Sequence, residues 1–250
     1  MKILVINPNT TQAVTDAVMT VARATAGTDT ELLGVTAETG PRTIESRAEN
    51  LVAAREMLEL AAEGSRGCDA LILGVSLDTA LWPLRELLDI PIVGTTEAGI
   101  LCATLVSTRA GLITYGVRMV PIYRELVASY GMQARITSVA GVDLPPTAVF
   151  SEPATVRRAT LAIAQTLIDR DGAEAVVFAG AAMAGLAVEL QSELPVPALD
   201  CSACAVLLAE SLVRLKLPKP RIGSLASPGA REVSGVGAAL AALFSGRGRN

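Results

Sequence analysis

The chain has 250 residues, 51% hydrophobic, only 3% aromatic and 18% charged, with a net charge of −4 and no histidine. That length and apolar content suffice for one large or two small domains with cores of Ala, Val, Leu and Ile, the composition of a parallel α/β protein. A weak negative charge with no long basic run argues against nucleic acid or an anionic membrane as partner, and the lack of His removes imidazole as base, triad member or zinc ligand.

Residues 2–6 (KILVI) read as a first strand entered directly from Met1, with no leader-like segment, and no apolar run reaches membrane-spanning length. A cytoplasmic location is therefore expected, with Cys68, Cys102, Cys201 and Cys204 as free thiols. Asn7-Pro8-Asn9-Thr10 breaks the strand, and Asn9 or Thr10 caps a helix to about residue 26. Residues 31–35 form a second strand, 37–47 a polar loop around Gly40-Pro41, and 46–62 have helical spacing of apolar residues. The run 70–81, ALILGVSLDTAL, is a buried strand, a turn at Gly74-Val75-Ser76, and a helix at 81–88 capped by Asp78 or Thr79. A short strand at 90–93 follows, and Gly94-Thr95-Thr96-Glu97 caps a helix through 105.

The pattern then restarts. Strands are expected at 111–115, 135–139, 175–179 and 196–199, and helices at 119–130, 153–170 and 202–215. A loop at 143–151 and a short helix after 179 complete that half. Residues 221–226 are expected as one more strand, because RIGSLASP resembles KILVINPN and AGLITYGV. A last apolar helix spans 235–244, ahead of a frayed tail at 246–250.

The two halves repeat each other. ALILGVSLDTAL matches the design of AVVFAGAAMAGL (175–186), and LDIPIVGTTEAGILCATLV from Leu88 mirrors LPVPALDCSACAVLLAESLV from Leu194. The expected fold is α/β: two pseudo-symmetric parallel-sheet (flavodoxin-like) domains with a cleft between them. The first would comprise 1–107 plus 217–250, and the second 108–216.

Ligands of parallel sheets bind beyond the carboxyl ends of the strands. Those ends are Asn7-Pro8-Asn9-Thr10, Val75-Ser76 and Thr95-Thr96-Glu97 in the first half, and Thr114-Tyr115-Gly116, Gly180-Ala181 and Asp200-Cys201 in the second. Hydroxyls, glycines and free helix N-termini suit a small carboxylate or a ring carbonyl. No GxGxxG or GxxxxGK[ST] occurs, so no nucleotide cofactor is expected, and no metal-ligand set is read.

ILVINPNTT, then Gly40-Pro41-Arg42-Thr43-Ile44-Glu45-Ser46, CDALILGVSLD, TTEA and AVVFAGAAMAGL together resemble the aspartate/glutamate/hydantoin racemase superfamily, in its hydantoin racemase-like branch. The resemblance covers nearly the whole chain. It implies two pseudo-symmetric α/β domains, a cofactor-free reaction on a small molecule, and assembly of like subunits. It also implies two cysteines on opposite faces of the substrate, one removing and one delivering a proton. An ungapped match puts these on Val75 and Gly180, neither of which can carry a proton. The related arylmalonate decarboxylase-like branch has Gly then Thr-Ser at the first position, loosely echoed by Gly74-Val75-Ser76-Leu77, but it keeps the second cysteine.

Other residues must therefore be weighed. Asp78, Tyr115 and Cys201 are the candidate proton carriers. Each has a plainer reading: a helix cap for Asp78, strand-end packing for Tyr115, and a buried small residue for Cys201. Cys201-Ser202-Ala203-Cys204 has C-x-x-C spacing but no thioredoxin-like context. Asn9, Thr10, Glu45, Ser46, Val75, Ser76, Thr95, Thr96, Thr114, Gly180 and Ala181 are the candidate substrate contacts, with capping as the alternative for Asn9, Thr10, Ser76, Thr95 and Thr96 and a solvated loop carboxylate as the alternative at Glu45-Ser46. Three readings follow: a cofactor-independent racemase of a hydantoin, amino acid or similar carbonyl-activated acid; another cofactor-free enzyme such as a decarboxylase or ring-opening lyase; or a non-catalytic binder of a small acid or ureide.

Overall fold

The computed structural model describes residues 1–247, and in it the central apolar runs are strands buried on both faces. The first half runs β1 (Lys2–Asn7), α1 (Gln12–Thr25), β2 (Glu31–Thr36), α2 (Arg47–Gly64), β3 (Ala70–Leu73), α3 (Leu81–Leu87), β4 (Ile92–Gly94) and α4 (Thr95–Val106). The second runs β5 (Ala110–Tyr115), α5 (Val120–Ser129), β6 (Ile136–Val142), α6 (Ala148–Ser151), α7 (Pro153–Asp169), β7 (Ala175–Phe178), α8 (Leu186–Leu190), β8 (Ala198–Asp200) and α9 (Cys201–Leu215), followed by α10 (Ala238–Phe244).

Each half builds one parallel four-stranded sheet, ordered β2-β1-β3-β4 and β6-β5-β7-β8. Val5 stands opposite Ile72 in one sheet, and Leu112 opposite Val177 in the other. In both orders the chain reverses direction across the sheet between the two central strands, which opens a crevice at their carboxyl ends. The halves are joined by helix packing: α4 lies on α9, α1 also contacts α9, and Val14 of α1 belongs to the apolar cluster of the second half. Among the described residues no helix is long and apolar enough to cross a membrane.

Several local expectations shift for identifiable reasons. The first helix begins at Gln12 with Thr11 as N-cap, not at Asn9 or Thr10. Neither Asp78 nor Thr79 caps α3, whose N-cap is Ala80 in a left-handed conformation. β4 and β8 each start two residues later than the sequence pattern suggests, just beyond Pro91 and Pro197, which lack a ladder N–H. The loop after β6 contains α6, and a 3-10 turn at Val117–Met119 precedes α5.

The expected strand at 221–226 does not form. Ile222 is 85% exposed, and Pro218, Pro220 and Gly223 interrupt any ladder. This segment is held instead by Lys219, whose Nζ donates to the Glu86 carbonyl at 2.5 Å and pairs with Asp89 at 3.4 Å. The chain does return to the first half at its end: α10 packs on α2, placing Leu240 and Leu243 in the core beside Met57 and Leu84. The Arg247 amide closes onto the Ala242 carbonyl, and the remainder of the expected tail, 248–250, lies outside the described residues.

Glu210 of α9 is a buried carboxylate that ties the halves together. It accepts from the Gly27 amide at 2.9 Å and the Thr30 hydroxyl at 2.5 Å, both in the turn after α1. Removing it leaves two donors without their acceptor, so Glu210→Ala is expected to lose about 2 kcal/mol. Urea unfolding with an unchanged slope would register this as a lower midpoint.

Candidate functional site

A cleft with about 510 Å³ of empty space, partly open to solvent, lies where the two crevices face each other. The first half supplies Asn9 after β1, Thr43, Ile44 and Glu45 from the loop before α2, and Val75 and Ser76 after β3. The second half supplies Thr114 and Tyr115 from the end of β5, Gly180 and Ala181 after β7, and Met119 and Tyr123 around α5.

Asn9 is set by a local network. Its Oδ1 accepts from Asn7 Nδ2 at 3.1 Å and from the Thr11 amide at 3.0 Å. Its own NH₂ therefore has no acceptor among the described residues and is available to the cleft. Glu45 is the one carboxylate on the wall among the described residues, steadied by the Thr43 hydroxyl at 2.7 Å from Oε1. Among the described residues no lysine or arginine lines the cleft. Ser46 itself faces the helix: its Oγ accepts from the Glu49 amide, while Glu49 Oε2 accepts from the Glu45 amide at 2.8 Å, a capping box that fixes the loop.

The turn after β3 is braced from behind. Thr95 Oγ1 donates to the Val75 carbonyl at 3.0 Å, and Thr96 Oγ1 to the Ser76 carbonyl at 2.6 Å. These two threonines are buried supports of the wall and are not among its lining residues. The Tyr123 phenol of the second half donates to Ser76 Oγ at 2.5 Å, which leaves the serine hydrogen free to point into the cleft. Burial pushes the Tyr123 phenol well above its usual range, against hydrogen bonds to Ser76 and Thr114, so it stays neutral.

Tyr115 differs from Tyr123 in one respect. Its ring lies beside Gly180, with Cδ2 3.4 Å from where a Cβ on that glycine would be. Its hydroxyl oxygen is buried and has no hydrogen-bond partner, although the residue is on the cleft wall. Burial also drives this phenol above the usual tyrosine range. An unpaired buried hydroxyl costs free energy that a ligand acceptor would recover.

The structure places the other candidates away from the wall. Asp78 is 4% exposed and caps α4, not α3: Oδ1 accepts from the Thr96 amide at 3.0 Å and Oδ2 from the Glu97 amide at 2.8 Å. Tyr130 of the second half adds a hydrogen bond to Oδ2 at 2.6 Å. Gly94 makes room for this carboxylate, since a Cβ there would stand 2.4 Å from Asp78 Cγ. Burial raises the Asp78 carboxyl to about 7, with the three donors pulling the other way. Cys201 is buried at the α4–α9 contact, and burial, then the charge of Asp200, pushes its thiol well up. Thr10 is not among the lining residues; its backbone amide donates to the Pro41 carbonyl at 3.0 Å.

The sequence-based list therefore brings Asn9, Glu45, Val75, Ser76, Thr114, Tyr115, Gly180 and Ala181 to one cleft. It missed Tyr123, Met119, Thr43, Ile44, Pro146, Val14 and Ala182. Tyr123 sits inside an apolar helical pattern, and a phenol on a buried helix face was the available signal, since such a hydroxyl needs a partner.

Comparison with known proteins agrees with this architecture. The Asp/Glu/Hydantoin racemase family profile matches residues 3–209. A hydantoin racemase from Pseudomonas sp. (strain NS671) is 30% identical over 237 residues, covering 94% of this chain and 95% of that protein. The allantoin racemase structure from Klebsiella pneumoniae is 34% identical with a TM-score of 0.92, covering 96% of this chain and 98% of its own. The allantoin racemase of Pseudomonas fluorescens is 31% identical with a TM-score of 0.91, covering 94% and 100%. Paired parallel sheets, a cleft at their facing switch points and full-length similarity converge: the chain belongs to the Asp/Glu/hydantoin racemase family.

Proposed function

We propose that this protein inverts the configuration at a carbon next to a carbonyl in a neutral cyclic ureide of the hydantoin type, without a cofactor. The observation that carries the proposal is the buried, unpartnered Tyr115 hydroxyl on the second-half wall of a cleft whose first-half wall holds Glu45. Val75 and Gly180 occupy the positions where the resemblance expects cysteines, so proton transfer falls to other groups. Glu45, as carboxylate, removes the proton next to the carbonyl; Tyr115, as neutral phenol, delivers one from the other half of the molecule. The reverse reaction uses the same pair with the proton positions exchanged.

A neutral ring suits the wall. With no cation on the wall among the described residues, an acidic amino acid would meet Glu45 without a counter-charge. A ureide offers N–H groups to Glu45 and carbonyl oxygens to the free Asn9 NH₂ and the Ser76 hydroxyl. Those two donors also stabilise negative charge that develops on a carbonyl oxygen as the proton leaves.

Incubation of single-enantiomer 5-substituted hydantoins and allantoin in deuterated water tests this. Loss of optical rotation accompanied by deuterium uptake at the stereocentre is the expected result. Ligand-dependent thermal stabilisation without rotation loss or deuterium uptake would sink the enzymatic reading and leave a binding protein.

A further inference from the structure

The thiols of the C-x-x-C segment find a partner that spacing along the chain does not show. Cys102 of α4 packs against the apolar cluster that holds Cys204 of α9, and the two thiols interact across the contact between the halves. The two helices approach closely because small residues line both: Ala98, Gly99 and Ala103 on α4, and Cys201, Cys204 and Ala205 on α9. A Cβ on Gly99 would stand 2.5 Å from Cys201 Sγ and 3.5 Å from Cys201 Cα. Cys204 and Cys102 belong to the same apolar cluster at this seam. Cys102 is partly exposed, whereas Cys201 and Cys204 are buried. Among the described residues no group of three His, Cys, Asp or Glu side chains forms a metal set.

We propose that Cys102 and Cys204 are an oxidisable dithiol, whose disulfide covalently ties α4 of the first half to α9 of the second. The proposal is independent of the cleft chemistry. The neighbouring Cys204 thiol lowers the Cys102 thiol from its ordinary range, against the effect of burial, and of the two sulfurs Cys102 is the one that solvent reaches. With hydrogen peroxide as oxidant, the Cys102 thiolate attacks one peroxide oxygen, the O–O bond breaks, and a sulfenic acid forms with release of the first water. The Cys204 sulfur then attacks the sulfenic sulfur, losing its proton as the S–O bond breaks and the second water leaves. Two thiols and one peroxide give one disulfide and two waters.

The test treats the reduced full chain with stoichiometric peroxide, then counts thiols and maps peptides without reduction. The expected result is a fall from four free thiols to about two, a linked peptide joining Cys102 to Cys204, and reversal by dithiothreitol. Because the bond closes a loop of about 100 residues, Tm should rise by about 5 °C or more. Cys102→Ser and, separately, Cys204→Ala should each abolish the crosslink, whereas Cys68→Ser should retain it. A peptide joining Cys201 to Cys204, oxidation of Cys102 to sulfinic acid without a crosslink, or no loss of thiols would each overturn the proposal.

Discussion

Tyr115→Phe is expected to lower turnover of the responsive hydantoin about 10²- to 10⁴-fold, the range for loss of a positioned acid–base group. The substitution removes only the hydroxyl. The ring stays packed against Gly180 and the cluster containing Ile113, Val142 and Phe178, so the fold should hold. It also removes a buried oxygen that has no partner, and stability should stay level or rise slightly. Together these outcomes separate a catalytic hydroxyl from a structural one. Unchanged turnover in Tyr115→Phe, measured by polarimetry and deuterium exchange, would rule out this residue as the proton donor.

The second large effect belongs to Asp78. Asp78→Ala is expected to destabilise the protein by about 3 kcal/mol, because the Thr96 and Glu97 amides and the Tyr130 hydroxyl all lose their acceptor. Near neutral pH that corresponds to a fall in Tm of about 6–12 °C. Asp78 has a φ of +48°, a conformation Asn tolerates better than Ala. Asp78→Asn keeps that conformation and one acceptor oxygen and should lose less.

The same carboxyl predicts a pH dependence whose sign is fixed. Burial raises it to about 7 in the folded chain, above its ordinary value of 3.8. The folded state therefore binds the extra proton between those values. The stabilising contribution of the protonated form is fully present below about pH 4 and is lost as pH rises through about 7. Asp78→Asn removes this component, so its Tm–pH curve should be flatter than wild type between pH 4 and 7. Parallel curves would show that Asp78 does not titrate in that window.

What Asp78 does is legible only in three dimensions. A short polar residue just before a helix reads as that helix's cap, yet this carboxylate serves α4, some twenty residues later, through a left-handed turn and the space left by Gly94. Thr95 and Thr96 show the converse. They look like strand-end ligand donors but spend their hydroxyls on the Val75 and Ser76 carbonyls. In each case the sequence offers a competent hydrogen-bonding group, and the folded chain decides its partner.

The sequence by itself determined most of the secondary elements, though not the strand expected at 221–226 or α6, together with the doubled parallel-sheet architecture and the strand ends that line the cleft. Those follow from apolar periodicity, breakers and internal repetition, which are local or self-comparing properties of the chain. Through the family resemblance it also implied that Val75 and Gly180 stand where proton-carrying cysteines are expected. The tertiary structure alone decided which polar groups meet. It brought Tyr123 to Ser76, Tyr130 to Asp78, Cys102 to Cys204 and Glu210 to the turn after α1, all between elements far apart in sequence. Side-chain hydrogen bonds are short-ranged and directional, so their pairing is fixed only once helices and sheets have packed on apolar surface that carries no record of polar partners.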